Sequence, residues 1–252
     1  VFDHFCGGVN ENDCLRVVDK MYTKGVSSVL DYSVEGKEEE AQFDAALNMT
    51  LKTIEFAKER EAIPFAVFKP TGFGRLALYE KVGDKAHLTE NEQNEWNRVI
   101  ERFDIACKTA FEKDVLLLID AEESWIQNPL DDLTFDLMSK FNKEKPIIYN
   151  TIQLYRKDRL AFFKQVSEKA KQAGFIYAAK LVRGAYMEKE ANHAKEINAE
   201  NPIQTSKQNT DKDYNEALKF AINNIDHIAI CVATHNEEST MLATQLMQGK
   251  NL

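Results

Sequence analysis

The stretch from Ala179 to Glu188 carries the densest set of reactive groups, because an apolar run passes there directly into charges, a glycine and a tyrosine. Lys180 and Arg183 supply two positive charges, and Tyr186 offers a flat aromatic face. Gly184 permits backbone angles that other residues avoid and lets a ligand approach the chain closely. Two interpretations follow: the stretch binds a ligand, or it is the polar, solvated rim of a strand.

Residues of the same kind follow other apolar runs of the chain. They are Lys69, Asp120 and Glu122, Gln153 and Tyr155, and His235 and Asn236. In a parallel barrel the carboxyl ends of all strands open on one rim, where barrel enzymes place their sites. A set of acids, cations, amides and a histidine at such a rim favours the binding of a charged ligand.

Asp120 gives the sharpest expectation of this set. It follows the aliphatic run Val115–Ile119, so its carboxylate should be partly desolvated, and such a group is costly without a partner. We therefore expect a ligand or a cation beside it. The alternative for Lys69 is a plain solvated lysine, and the alternative for Gln153 is the cap of a loop.

The elements that must position these residues alternate between strands and helices. The predicted strands are Val26–Ser33, Pro64–Pro70, Val115–Ile119, Pro146–Gln153, Phe175–Ala179 and Ile228–Asn236. Helices are predicted at about residues 13–24, 38–60, from 89, 130–140, from 158 to Gly174, 213–224 and from 237. The polar segment Glu190–Asp211 is predicted to be a long loop with some helix.

The helix that opens at Thr89 has the clearest signals. Thr89 and Glu92 have the spacing of a capping box, in which each side chain bonds the other residue's backbone N–H. One face of this helix is predicted to pack in the core, and it consists of Trp96, Val99, Ile100, Phe103, Cys107 and Ala110.

Continuously apolar strands that alternate with helices indicate a parallel sheet covered by helices, hence an α/β fold. An eight-stranded barrel and an open doubly wound sheet both fit. Neither GxGxxG nor GxxxxGK[ST] follows the first strand, which weakens the nucleotide-binding open sheets and favours the barrel. Six strand–helix units are two fewer than a barrel needs. We therefore expect residues 1–252 to be one barrel domain that stops early, and Val1 in place of Met to mark a piece of a longer protein.

Composition narrows the classes of partner. The formal net charge is −9 and no basic arm is present, which argues against nucleic acid. Four cysteines lie scattered without CxxC spacing, so we expect reduced thiols in an intracellular protein. The five histidines are scattered too, and no metal site is expected. No apolar run is long enough to cross a bilayer. The charge runs at residues 37–40 and 188–195 are predicted to be solvated faces.

Seven short motifs, in order along nearly the whole chain, resemble the proline dehydrogenase family. They are Leu30–Glu35, Phe68–Thr71, Ile119–Glu122, Thr151–Tyr155, Leu181–Tyr186, Thr210–Asp211 and Ala233–Asn236. The resemblance implies a distorted (βα)8 TIM-like barrel that holds FAD. It also implies oxidation of L-proline to Δ1-pyrroline-5-carboxylate by hydride transfer to flavin N5, the first step of proline catabolism, with electrons passed to a quinone.

The resemblance also assigns roles to residues. Lys69 would lie under the flavin and face the substrate carboxylate, and Asp120 would lie near the substrate amine. Ala185 and Tyr186 would wall the proline ring. The isoalloxazine would contact Gln153, Lys180, Val182 and Gly184. The ribityl, pyrophosphate or adenine portion would contact Thr205, Lys207, Thr210, His235 and Asn236.

Some features depart from the family pattern. The family ends with a strand and a helix that carry a tyrosine and two adjacent arginines, which clamp the substrate carboxylate. No Arg-Arg pair occurs here, so we expect these groups beyond Leu252. After Glu190 the sequence has Ala191 where the family has an arginine nearby. Either Asp31 or Glu35 is the family's first-strand acid.

Three interpretations of function remain open: proline oxidation, oxidation of hydroxyproline, and a non-catalytic barrel used for binding. Proline dehydrogenases work in the bacterial cytoplasm or at the inner face of the inner membrane, or in the mitochondrial matrix or at its inner membrane. The resemblance therefore implies one of these places. Peripheral membrane contact and oligomeric state are left open.

Overall fold

A computed structural model of the chain describes residues 7, 8, 10–31 and 38–252. It divides into two compact units, residues 1–120 and 121–252. Within the described ranges each unit contains three strands, and all strand pairs inside a unit are parallel. The predicted alternation of parallel strands and helices is therefore confirmed. The single barrel domain over residues 1–252 stays a prediction.

The first unit pairs its strands in sequence order. Val29 lies opposite Phe65, and Phe68 lies opposite Ile119. The elements are α1 (Glu11–Tyr22), β1 (Val29–Leu30), α2 (Glu40–Lys58), β2 (Phe65–Phe68), a 3-10 turn (Pro70–Gly72), α3 (Leu76–Gly83), α4 (Glu90–Lys113) and β3 (Leu116–Ile119).

The second unit also pairs its strands in sequence order. Thr151 lies opposite Lys180, and Lys180 lies opposite Cys231. The elements are a 3-10 turn (Ser124–Ile126), α5 (Gln127–Phe141), β4 (Ile148–Gln153), α6 (Arg159–Gln172), β5 (Tyr177–Val182), α7 (Met187–Glu196), α8 (Lys207–Asn223), β6 (Ile228–Val232) and α9 (Glu237–Lys250).

Burial explains why the strands read as unbroken apolar runs. In β2 and β3 every residue after the first is buried and apolar, so neither face of these strands alternates with polar positions. In the first unit Phe68, Phe73 and Phe103 pack together, with ring centroids 4.5 to 5.5 Å apart. This aromatic cluster fixes the end of β2 against α4. The end of β2 is where the first candidate site residue lies.

Helix α4 forms as its sequence predicts, with one error. Thr89 and Glu92 form both hydrogen bonds of the capping box. The predicted core face is buried at Val99, Phe103, Cys107 and Ala110. Ile100 is exposed instead, because the helix turns it away from α2 and β3. Trp96 is half-buried against Tyr79.

The predicted secondary structure differs from the structure in four other places. Strand β5 continues to Val182, so Lys180 lies inside the strand rather than after it. In the segment predicted as a long loop with some helix, α7 extends to Glu196 and α8 begins at Lys207, where Ser206 caps its N-terminus, so only residues 197–206 lie outside helices. Helix α3 was not predicted at all. Strand β1 covers only Val29–Leu30 of its predicted range, and Tyr32–Ser33 lie outside the described residues.

Cys14, Cys107 and Cys231 form no disulfide bond within the described part of the chain. None of the helices in the described ranges combines the length and the apolar character that a membrane crossing requires.

Candidate active site

Lys69 and Asp120 form an ion pair at the carboxyl ends of two adjacent strands in the first unit. Lys69 follows β2, Asp120 follows β3, and Asp120 N donates a hydrogen bond to Phe68 O at 3.0 Å. The Lys69 Nζ lies 3.6 Å from Asp120 Oδ2, and each side chain is 17% exposed. The expectation that Asp120 has a cation beside it is confirmed.

The turn after Lys69 is held from several sides. Gly72 N donates to Lys69 O at 3.0 Å, which closes the 3-10 turn. The hydroxyl of Tyr79 donates to Pro70 O at 2.7 Å, and Arg102 Nη1 donates to Phe73 O at 3.1 Å. The ammonium group of Lys69 is therefore carried by a well-anchored backbone.

In the second unit, polar side chains interrupt one face of the sheet. Thr151, Lys180 and Cys231 occupy matching register positions on β4, β5 and β6, so their side chains share a face. Gln153 and Val182 form the next row on this face, toward the carboxyl ends. Lys180 thus places a positive charge within a sheet that is otherwise largely apolar.

Gln153 is the clearest incomplete group of this face. Its side chain is 2% exposed, and its Nε2 donates to Glu122 O at 3.0 Å. The Oε1 atom is buried and accepts no hydrogen bond. An unsatisfied buried oxygen costs about 1–3 kcal/mol, so its presence points to a donor that a ligand would supply.

Gly184 is required by its own surroundings. Its φ is +134°, and a Cβ there would come within 2.4 Å of the Tyr155 ring. Both the backbone angle and the ring exclude a larger side chain. Ala185 after it is exposed. Tyr186 is half-buried at the start of α7, with Lys189 Nζ 5.0 Å from its ring centroid.

Arg183 has a structural role that its sequence position did not reveal. Its guanidinium contacts Asp211 Oδ1 at 2.7 Å and Thr234 Oγ1 at 2.6 Å. It also donates to Ser239 Oγ at 3.0 Å and lies 4.4 Å from the ring centroid of Tyr214. Arg183 therefore has a carboxylate, two hydroxyl groups and an aromatic ring as partners within the unit.

The residues predicted for the outer part of a cofactor lie at the beginnings of α8 and α9. Lys207 pairs with Asp211 at 2.6 Å, and Thr210 is buried with its hydroxyl 3.4 Å from Ser206 O. Thr205 Oγ1 accepts from Asn209 Nδ2 at 3.1 Å.

At the start of α9, Asn236 caps the helix by accepting from Ser239 N at 2.9 Å. His235 beside it is exposed. Apart from Lys180, which lies inside β5, the predicted residues of the second unit lie at or beyond carboxyl ends of strands or near helix starts. Of the two candidates for the first-strand acid, Asp31 is exposed directly after β1. Glu35 lies outside the described residues.

One residue of the predicted solvated face is buried. Glu190 is 1% exposed, and its carboxylate accepts from Ser124 N at 2.7 Å and Ser124 Oγ at 2.5 Å. The prediction of a solvated run at residues 188–195 is wrong there. Glu190 and Ala194 are the two buried residues of α7, one turn apart. No local pattern could reveal the partner, which lies 66 residues away in sequence.

The family model for proline dehydrogenase matches residues 14–252. The chain therefore belongs to the proline dehydrogenase family. Among curated relatives, it is 36% identical over 238 residues to the carbapenem antibiotics biosynthesis protein CarD of Pectobacterium carotovorum subsp. carotovorum, covering 94% of this chain and 62% of CarD.

Two mitochondrial proline dehydrogenases show similar matches. Proline dehydrogenase 1 of Dictyostelium discoideum is 29% identical, covering 98% of this chain and 51% of that protein. Proline dehydrogenase 2 of Arabidopsis thaliana is 31% identical, and the match covers 97% of this chain and 60% of that protein. The chain thus spans between about half and two thirds of these relatives.

Solved structures share the fold. Proline utilization A (PutA) from Bdellovibrio bacteriovorus matches with a TM-score of 0.82 at 19% identity, over 95% of this chain and 26% of that one. A PutA from Bradyrhizobium japonicum matches with a TM-score of 0.74 at 18% identity, and the match covers 88% of this chain and 22% of that chain. The predicted fold class, an α/β fold of the distorted TIM-like barrel type, is confirmed.

Proposed function

We propose that the protein is an FAD-dependent proline dehydrogenase that oxidises L-proline to Δ1-pyrroline-5-carboxylate. The observation that carries this proposal is the Lys69–Asp120 ion pair at the carboxyl ends of β2 and β3. An amino acid zwitterion has one negative and one positive group, which complement an ammonium and a carboxylate. The membership of the chain in the family supports the same assignment.

In this proposal Lys69 binds the substrate carboxylate and Asp120 binds the substrate amine. Asp120 orients the nitrogen and so presents the adjacent carbon for oxidation. Correct orientation of this kind can supply several kcal/mol, roughly 7 at the lower end of measured cases. We assign Ala185 and Tyr186 to the walls of the proline ring.

The residues of the second unit fit a flavin. The buried Gln153 Oε1 lacks a donor, and a flavin ring carries an N–H group that would supply one. Lys180 offers a positive charge on the same face, which stabilises an anionic reduced cofactor. When bound, FAD would supply the hydride acceptor for the carbon beside the nitrogen, and the amine must first release one proton because an ammonium nitrogen has no lone pair to form the C=N bond. Val182 and Gly184 complete the assigned contacts to the ring.

The beginnings of α8 and α9 suit the phosphate end of the cofactor. Helix N-termini present free N–H groups and a partial positive charge, which favour anions. We assign five residues to the phosphate end of the cofactor: Thr205, Lys207, Thr210, His235 and Asn236. Lys207 supplies the positive charge among them.

The electrons must leave the reduced cofactor for a second acceptor, and we propose a quinone. Such an acceptor favours a place near a membrane. Two relatives carry the word mitochondrial in their names, so we propose that location if the source is eukaryotic. In a bacterium the corresponding place is the cytoplasm or the inner face of the inner membrane.

The complete protein tests the proposal directly. We expect it to purify with flavin absorbance or to bind added FAD, and we expect anaerobic L-proline to bleach that absorbance. D-proline serves as the matched control for recognition. A protein that binds no FAD, or whose bound FAD stays oxidised in excess L-proline, contradicts the proposal.

The 36% identity to CarD favours a second candidate substrate. The name of CarD places it in antibiotic biosynthesis, so a proline-like ring compound other than proline is the competing assignment. Hydroxyproline is the simplest such compound to test. Rates on L-proline and 4-hydroxyproline, measured side by side, separate the two candidates.

A further inference from the structure

Helix α7 is attached to the 3-10 turn after β3 by three contacts, which we call the α7 latch. Three consecutive residues, Glu123 and the first two residues of the turn, each contact a different residue of α7. The latch consists of the pairs Lys189–Glu123 at 2.7 Å, Glu190–Ser124 at 2.5 and 2.7 Å, and His193–Trp125, whose rings stack with centroids 3.9 Å apart.

Glu190 is the buried member of the latch. Both of its carboxylate oxygens accept hydrogen bonds from Ser124, one from the backbone N–H and one from the hydroxyl. Hydrogen bonds to a charged acceptor are about twice as strong as neutral ones. Without the carboxylate, two donors of Ser124 would lose their partner, and burial would make that loss costly.

The latch acts on the residues that precede the helix. Tyr186 occupies the position before α7, and Glu190 N donates to Tyr186 O at 2.9 Å in the first turn. Fixing Glu190 therefore fixes the backbone of Tyr186. Burial raises the pKa of Tyr155, and the negative charge of Glu190 raises it further. The Glu190 carboxylate therefore lies near the Tyr155 ring, which is the ring that lies against Gly184.

Glu190 is not among the residues assigned above to contact the substrate or the cofactor. We propose that Glu190 is a positioning residue, which holds Ala185 and Tyr186 in the geometry that binds the proline ring. This inference rests on the proposed function for its substrate, but the latch itself is a property of the second unit alone.

The experiment uses the complete, FAD-loaded protein with the variants E190Q and E190A. The matched control is E188Q, because Glu188 lies in the same helix turn and is exposed. In E190Q the amide oxygen can still accept one of the two Ser124 bonds. We expect KM for L-proline to rise about tenfold in E190A and about threefold in E190Q, with kcat within about threefold of the wild type. E188Q should match the wild type.

A second readout does not depend on turnover. Hydrogen exchange of the peptide that covers residues 187–196 should be about tenfold faster in E190A, and unchanged in E188Q, because the latch no longer restrains the helix. If E190A does not fold, E190D replaces it. Its shorter side chain cannot reach both Ser124 donors, so it should show the same rise in KM.

The outcomes separate the two proposals. Wild-type protein that does not oxidise proline overturns the proposed function, while hydrogen exchange still tests the latch. Wild-type activity with an unchanged KM in E190A and E190D overturns the positioning role. A lower melting temperature in E190A without a change in KM also overturns it, since Glu190 would then only stabilise the fold.

Discussion

The Lys69 ammonium and the Asp120 carboxylate lie 3.6 Å apart, which is longer than the 2.7–3.2 Å of a direct N–H···O hydrogen bond. Both side chains retain 17% exposure. A loose pair of this kind can exchange its partners at a lower cost than a tightly bonded one. A zwitterionic ligand could take up both charges at once, with its carboxylate on Lys69 and its amine on Asp120.

Replacing Asp120 by Asn keeps the shape of the side chain and removes its charge. We expect kcat/KM for L-proline to fall about 100-fold, equivalent to about 3 kcal/mol, because the amine loses its counter-charge. Steady-state kinetics measure the effect. D132N is the control, since Asp132 is exposed on α5. Turnover by D120N equal to the wild type would remove Asp120 from the proposed site.

Replacing Gly184 by Ala should destabilise the protein by about 3 kcal/mol, because the new Cβ meets the Tyr155 ring and the backbone is strained. G174A is the matched control. Gly174 also has a positive φ, +76°, but no atom lies within 4 Å of the added Cβ. The G174A variant should therefore lower the free energy of unfolding by only about 1 kcal/mol.

Urea unfolding measures both variants. In a Y155L background the additional cost of G184A should fall by about half, because the two residues are in contact and their effects couple. Equal costs for G184A and G174A would show that the ring contact adds nothing.

Replacing Gln153 by Leu should separate cofactor binding from stability. We expect the cofactor-free protein to change by less than about 1 kcal/mol, since the lost bond to Glu122 is offset by removal of an unsatisfied oxygen. The Kd for FAD should rise about tenfold, or about 1.4 kcal/mol. Titration with FAD and thermal unfolding measure the two quantities. Q165L, at an exposed position of α6, is the control. An unchanged Kd in Q153L would contradict the assigned contact.

The lowered pKa of Glu40 predicts how the stability of the protein depends on pH. Hydrogen bonds from Arg98 and Arg102 lower the pKa of Glu40 to about 2. A lowered pKa in the folded state stabilises the protein above the unfolded value of 4.5, and this stabilisation is lost as pH falls toward about 2. The side chain is 39% exposed, so solvent screening limits the effect at pH 7 to about 1 kcal/mol.

The variant E40Q should therefore be less stable than the wild type at neutral pH, and the difference should close between about pH 4.5 and about pH 2. Urea unfolding across this range measures it. E101Q, at an exposed position of α4, should follow the wild type throughout. A difference between E40Q and wild type that persists at the lowest pH would contradict the ion-pair origin.

Local sequence signals predicted most of the fold. The capping box at Thr89, the stop near Gly174 and the buried runs of β2 to β6 depend on neighbours in sequence, and all of these elements form. Their predicted ends are less accurate, since β5 ends at Val182 rather than Ala179 and β6 ends at Val232 rather than Asn236. The predicted burial of Ile100 is wrong because apolar character alone does not show which positions of a helix face its neighbours. The extent of helix around Glu190 is underestimated from sequence because α7 is mostly polar and buries only Glu190 and Ala194.

The candidate site was predicted as a set of residues rather than as a set of contacts. The order of strands places Lys69, Asp120 and Gln153 at carboxyl ends, and this follows from alternation alone. The partners of Arg183 and Glu190 lie 28 to 66 residues away in sequence, so no local pattern could reveal them. From sequence both residues are therefore interpreted as exposed or ligand-facing charges, whereas the structure gives both of them partners within the second unit.

Arg183 binds Asp211 in α8, Thr234 after β6 and Ser239 in α9. A planar guanidinium presents its donors in a fixed fork, so these three attachments share one rigid centre. The segments assigned to the phosphate end of the cofactor therefore cannot loosen one at a time. We therefore expect these segments to open together, so that their slowly exchanging amides share one free energy of opening. Access of a large cofactor to this region would then depend on one concerted opening.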